Sequence, residues 1–426
     1  MILEAVLEGV FFFLVSLIGL YLARHLIFTF TVLYKGKHRA RQIAETATQP
    51  KVSVLIPAWN EEKVIGHLLR RICEFTYPKD KLEVLVIDDA SKDKTGKIAE
   101  TFAKTHTFIK VIHCDPSKGG RGKPRALNEG LDHISGEIVC CIDADYSPQR
   151  DIIEKLNLPF SDPSVGASQA RVTVGNEPAT LVTRLVTLER IAGYRVDQMA
   201  RENLGLIPQF GGTVASVSVA LLRSLGGWDE TALTEDTDLT FRIYLNGHKV
   251  RYVNDAESYE EAVEMWGDYY RQRSRWAKGH MQCAFRYSLP LLHCKNLSLK
   301  EKLDGILLLN IYFLPLIVAS AWIIGIALYF IDSQFWLKPL LSIVIALSLY
   351  STMGNFAPFF EIGMGAYLDN RKRIYWLTPL LFITFFINMV ICAKVFLELC
   401  SARITGKRQF VWEKTIHGGH GNNYNA

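Results

Sequence analysis

No two of the eight cysteines stand in a Cys-x-x-Cys pair. That spacing argues against a structural zinc cluster and against a disulfide framework. Cys140 and Cys141 are adjacent in an apolar, strand-like run, where cysteine behaves as a small hydrophobe. Reduced thiols in a cytosolic domain fit this usage. An excess of one charge is also missing. Lys and Arg number 48 against 43 Asp and Glu, a formal net charge of +5, with no long basic tract. Nucleic acid is therefore not an expected partner. No Gly-x-Gly-x-x-Gly follows the first strand candidate, and Gly119-Gly120-Arg121-Gly122-Lys123 lacks the P-loop spacing. Nicotinamide-type and P-loop nucleotide sites are discounted on those grounds. The first apolar run has neither a basic start nor a small-residue cleavage site, so it reads as a retained helix.

Apolar residues are plentiful and unevenly placed. They make up 49% of 426 residues and flank a polar block at about 35–302. The run 10–33 is long enough to cross a bilayer. Arg24 and His25 interrupt it. Arg24 is expected to snorkel to the headgroups, with capture of an anionic lipid or acceptor phosphate as the second reading. Further spans are expected at about 306–331, 337–353 and 374–399. The stretch 356–367, with Pro358 and Glu361, reads as re-entrant or interfacial. Lys35, Lys37, Arg39 and Arg41 place the polar block on the cytosolic side, and Arg371-Lys372-Arg373 agrees. Arg403, Lys407 and Arg408 prefer that side too, which three crossings after the block do not allow. The expected division is 1–35 as a membrane helix, 36–300 as a cytosolic domain, 301–400 as membrane helices and 401–426 as a polar tail. The expected location is the cytoplasmic membrane, with several crossings.

Within the polar block, strand candidates at 52–57, 82–87, 108–113 and 137–142 alternate with helical patterns. One helix carries Val64, Ile65, Leu68, Leu69 and Ile72 at three- and four-residue steps, and another covers 124–134. This alternation implies an α/β fold with a mostly parallel sheet. Ligands in such sheets sit outside the carboxyl ends of the strands. Three polar clusters fall there: Pro57-Ala58-Trp59-Asn60-Glu61, Asp88-Asp89 and Asp143-Ala144-Asp145.

Each cluster has a functional and a structural reading. The Asp88-Asp89 pair can accept hydrogen bonds from a base or ribose, or cap the next helix through an Asx turn. Asp143 and Asp145 lie on one side of a strand end and offer hard oxygens for Mg²⁺ or Mn²⁺. Lys123 at a helix start suits a phosphate or a base carbonyl, or is a solvated loop lysine. Asp236, in Thr234-Glu235-Asp236, can serve as a proton acceptor or cap the helix around 239–245. Arg275 and Trp276, in Gln272-Arg273-Ser274-Arg275-Trp276, offer a bidentate donor and a flat ring. An interfacial amphipathic helix explains those two but not Gln272. His280, four residues on, reads as a helix-surface histidine.

The order and spacing of these clusters over about 51–280 resemble the family 2 glycosyltransferases of the membrane-bound, processive type, such as cellulose, hyaluronan and poly-N-acetylglucosamine synthases. The resemblance implies a GT-A-like domain and an enzyme that moves a hexose, glucose or N-acetylglucosamine, from a UDP-sugar with inversion. It implies donor contacts from Pro57, Asn60, Glu61, Asp88, Asp89, Lys123, Asp143, Gln272 and Arg275. Asp145, with Asp143, would hold Mg²⁺ or Mn²⁺, and Asp236 would be the general base. Phe210-Gly211-Gly212-Thr213, Glu235 and Trp276 would face the acceptor. The implied acceptor is the end of a growing β-linked polysaccharide, with a membrane lipid such as diacylglycerol as the alternative. A single amino-terminal helix departs from the two that poly-N-acetylglucosamine synthases generally show, and a small accessory subunit or a homodimer could supply more channel wall. A non-catalytic nucleotide-sugar-binding subunit is a distant third reading.

Overall fold

The computed structural model describes residues 2–35, 49–115, 120, 122–331, 356–371 and 373–405. The expected span at 337–353 and the tail beyond 405 lie outside them. One helix, α1 (Ile2–Lys35), precedes the polar block. An eight-stranded sheet follows, in the order β3-β2-β1-β4-β7-β6-β8-β5. Its strands are β1 (Val52–Ala58), β2 (Leu82–Asp88), β3 (Ile109–His113), β4 (Ile138–Cys141), β5 (Ser147–Pro148), β6 (Val165–Val174), β7 (Ala215–Ser218) and β8 (Lys249–Glu260). The helices between them are α2 (Ile65–Cys73), α3 (Thr95–Thr105), α4 (Lys123–Leu131), α5 (Ile152–Asn157), α6 (Leu181–Ile191), α7 (Met199–Leu204), α8 (Val219–Ser224) and α9 (Glu235–Leu245).

The first four strands pair in parallel, as the β–α alternation requires. β7 then runs antiparallel between β4 and β6, so the sheet is mostly parallel but mixed. Successive residues of a strand face opposite layers. Val54, Ile56, Val84, Val86 and Cys140 pack under α2 and α3. Leu55, Leu85, Ile87 and Cys141 pack under α4. The predicted stripe on α2 buries Ile65, Leu68, Leu69 and Ile72. Register places Ala58 opposite Asp88, so the loops after β1 and β2 leave the sheet side by side.

A 28-residue helix, α10 (Trp266–His293), leads from the sheet to α11 (Leu299–Leu309) and α12 (Leu314–Ile331). Further along the described residues come α13 (Phe356–Leu368) and α14 (Leu381–Thr405). Among the described residues, three segments are long and apolar enough to cross a membrane: Ile2–Tyr34, Ile311–Phe330 and Tyr375–Thr405. The 13 residues of α13 rise only about 20 Å, short of the roughly 30 Å of a hydrocarbon core. α13 instead docks on the polar block, where Gly365 lies against Ile191 and Val196.

Arg24 does not snorkel. It is buried, with Nε 3.3 Å from Asp304 and Nη2 3.4 Å from Asp197. Arg201 meets the same two carboxylates, at 3.2 Å and 3.9 Å. Beside this group His25 pairs with the buried Glu361 at 2.6 Å. A helix read alone offers no partner for a mid-helix arginine. The polar block brings one from α11 and one from the turn before α7.

Candidate active site

A cavity of about 460 Å³ opens at the carboxyl ends of β1 and β4 and reaches Arg24, Leu308, Ile311 and Tyr312. Pro57, Glu61 and Asp89 line its outer end. Asp88 does not. Its carboxylate accepts the Ser91 N–H at 3.0 Å and pairs with His113 Nδ1 at 3.0 Å. A Cβ at Gly96 would come within 2.5 Å of it. Of the two adjacent acids, one thus braces the turn and the other faces the cavity. Asn60 is also outside the lining. At φ +56 it ties two loops together, donating its N–H to Ser91 Oγ and accepting the Lys92 N–H. Burial raises the Asp89 carboxyl, while N–H groups of Gly120 and Gly122 draw it back.

Lys123 begins α4, after Gly122 at φ +112. Its ammonium sits 2.7 Å from Asp143 Oδ1, 2.9 Å from the Gly212 carbonyl and 3.7 Å from Glu235. Burial pulls this lysine's pKa down, but Asp143 and Glu235 more than offset that and leave it raised. Asp145 lies deeper. Burial first, then Asp143 and Glu260, push its carboxyl well above the ordinary range.

The segment Phe210–Thr213 crosses beneath. Phe210 is buried and donates its N–H to Thr240, while Gly211 donates to Gln169 Oε1 at 2.6 Å. Gly212 is not a lining residue. At φ +73, its Cα faces the Asp236 side chain, and an added Cβ would sit 2.9 Å from Asp236 Cβ. Thr213 Oγ1 accepts the Asp143 N–H at 3.0 Å. Asp236 stands in the first turn of α9, where Oδ1 accepts the Thr237 N–H at 2.6 Å. Asp236 thus satisfies a first-turn N–H of α9, while the N-cap residue Thr234 makes no side-chain cap. Burial raises Glu235, with Lys123 opposing.

α10 closes the inner side with Gln272, Arg275 and Trp276. Arg275 Nε is buried without a hydrogen-bond partner among the described residues. Two guanidinium groups lie against the Trp276 ring, Arg273 at 4.3 Å and Arg190 at 5.0 Å from its centre. His280 is not a surface histidine. It lines the cavity and stacks on Tyr312 at 4.7 Å.

The structure thus gathers fourteen of the seventeen expected site residues around one cavity and leaves Asp88, Asn60 and Gly212 behind its walls. It adds Arg190, Tyr194, Glu260 and Glu261, which sequence spacing did not suggest. Arg190 clamps Glu260 with contacts of 2.5 and 2.9 Å, and Tyr146 donates to the same carboxylate at 2.8 Å. In all, nine carboxylates and five Lys or Arg side chains line the space. Asp145, beside Asp143, supplies hard oxygens in a site with surplus negative charge, so the residues fit a divalent cation.

Comparisons with known proteins place the chain in a family. The model of the family described as "Glycosyltransferase like family 2" matches residues 50–279. The chain belongs to glycosyltransferase family 2. A Bacillus subtilis (strain 168) relative named "Probable glycosyltransferase YdaM" is 37% identical over 58% of this chain and 59% of its own length. A beta-monoglucosyldiacylglycerol synthase of Trichormus variabilis is 30% identical over 87% of this chain and 77% of its own. Other matches span 56% and 60% of their relatives' length. Among solved structures, a Pyrobaculum calidifontis mannosyltransferase, determined with GDP-Man and Mn²⁺, covers 89% of this chain and 99% of itself. Its TM-score is 0.59 at 24% identity, which establishes the shared fold, GT-A.

Proposed function

We propose that this protein transfers a hexosyl group from a nucleotide-diphosphate sugar, a UDP-sugar in the first instance, to a hydroxyl presented at the membrane. The observation that carries this reading is the meeting of Asp145, Asp236, Arg275 and Trp276 around one cavity. Asp89 and the β1 loop face the nucleoside. Lys123, Gln272 and Arg275 face the diphosphate, where a planar guanidinium can bind two oxygens at once. Mg²⁺ or Mn²⁺ would be held by Asp145 with Asp143. When bound, it neutralises the departing diphosphate. Asp236 takes the proton of the acceptor hydroxyl as that oxygen bonds to the anomeric carbon. The bond from that carbon to the diphosphate breaks in the same step. An α-linked donor therefore gives a β-linked product. Positioned proton transfer of this kind contributes about 10²–10⁴-fold.

For the acceptor, the reading best supported is a membrane lipid. The cavity wall includes Arg24 from the first span and Ile311 and Tyr312 from the second. The spans themselves meet through apolar side chains, Phe11 with Leu328 and Phe313 with Phe396. Those contacts suit an acceptor reached from the bilayer better than a polar conduit. Trp276, a flat face for a pyranose, supports extension of a glycan as the second reading. The polar block then faces the cytosol, with the spans in the cytoplasmic membrane.

Membranes carrying the full chain should release nucleotide from radiolabelled UDP-glucose, UDP-N-acetylglucosamine or GDP-mannose. Asp236→Asn should lower that turnover about 10²–10⁴-fold. Undiminished turnover in that variant would sink the mechanism. Label in the lipid-soluble fraction supports the lipid, and a ladder of high-mass glycans supports the polymer.

A further inference from the structure

His280 is a cavity side chain to which the reaction as described gives no task. α10 passes the start of α9 very closely. A Cβ at Gly279 would lie 2.5 Å from Thr234 Cγ2 and 2.9 Å from the Thr234 backbone nitrogen. This approach brings the next residue, His280, to Thr237. Its Nε2 is 3.4 Å from Thr237 Oγ1. The same hydroxyl is 3.4 Å from Asp236 Oδ1, which also accepts the Thr237 N–H at 2.6 Å. On its other side the imidazole is fixed by Tyr312, stacked at 4.7 Å with 29° between the rings. His280 Nδ1 is buried and has no hydrogen-bond partner among the described residues.

We propose that His280, acting through the Thr237 hydroxyl, is a positioning residue that fixes Asp236 Oδ1 and leaves Oδ2 to receive the acceptor's proton. A neutral imidazole carries one N–H. With that hydrogen on Nε2 it donates to Thr237 Oγ1, and the threonine's own hydrogen must turn to Asp236. Burial lowers the imidazole's pKa, against a smaller opposing pull from Asp236, which keeps the ring neutral at neutral pH. Nδ1 is then an acceptor with nothing to accept from the protein, consistent with the observed orphan. The consequence is directional. One carboxylate oxygen is spent on α9, and the other is presented to the substrate in a defined rotamer.

The inference rests on Asp236 being the base, and its test keeps the two apart. The full chain is assayed in membranes with whichever of UDP-glucose, UDP-N-acetylglucosamine and GDP-mannose it turns over. His280→Ala should lower kcat about ten-fold with the donor KM unchanged, a loss at the upper end of that expected for a hydrogen bond between neutral groups. The acid limb of the rate profile should move to higher pH, because a carboxylate that loses hydrogen bonds is easier to protonate. His280→Gln, with an amide N–H near the Nε2 position, should recover the greater part. Thr237→Val should match His280→Ala, and the double variant should be no worse than either. A wild-type kcat and acid limb in His280→Ala would overturn the positioning role, as would losses that multiply in the double variant. Should His280→Ala fail to accumulate, Thr237→Val decides alone, and an unmoved acid limb there is fatal. Active Asp236→Asn protein would instead overturn the underlying mechanism.

Discussion

Gly212→Ala tests whether the glycine segment sets the place of the base. Gly212 has φ +73, where a side chain costs about 1–2 kcal/mol. Its new Cβ would fall 2.9 Å from Asp236 Cβ, whereas ordinary contact begins at 3.4 Å. Roughly 0.5 Å of movement is needed, and neither neighbour is free to give it. The Gly212 carbonyl is held by Lys123 at 2.9 Å, and Asp236 Oδ1 by the Thr237 N–H. If a 1 Å misplacement costs about 100-fold, half of that costs about ten-fold in kcat. Gly226 supplies the control. It has φ +83 but nothing within 4 Å of its Cβ position. Both alanine variants should lose similar stability in detergent-solubilised thermal unfolding. Only Gly212→Ala should lose turnover at saturating nucleotide sugar. Equal turnover in the two variants would refute the argument, because it would show that the contact with Asp236 is absorbed without displacing it.

Three further outcomes follow from the charged groups. EDTA should abolish turnover, and Mg²⁺ or Mn²⁺ should restore it. Asp145 is raised in the folded protein, so the native state holds a proton that the unfolded chain releases near the ordinary carboxylate pKa. Metal-free protein should therefore lose stability as pH rises above about 4, and a divalent ion should flatten that slope; thermal unfolding against pH with and without Mn²⁺ reads both. Arg24→Ala would leave Asp197 and Asp304 to share Arg201, at a cost of about 3–5 kcal/mol in detergent unfolding. A loss under about 1 kcal/mol would mean the arginine behaves as a surface residue after all.

Part of this protein is legible because it is local. The four leading strands and the α2 stripe follow from alternation and three- and four-residue steps, and they emerge within a few residues of the expected ends. β8 was not visible in this way. Its residues Arg251, Glu257 and Glu260 are polar, yet the strand is largely covered because Glu202, Arg171 and Arg190 supply distant partners. Periodicity of hydrophobic residues cannot register a strand covered by ion pairs.

Composition and spacing by themselves determined the class of fold, the family resemblance and the cluster of acids at the strand ends, since each depends on short-range pattern. Tertiary structure decided which member of a pair faces the cavity. Asp89 lines it while Asp88 turns to His113, although the two are neighbours in the chain. It also decided that Arg24 is buried with Asp304, 280 residues away, rather than bathed in headgroups. A side chain's environment is made by whatever the fold brings beside it, and neither His280 nor Arg24 carries that information in its own neighbours along the sequence.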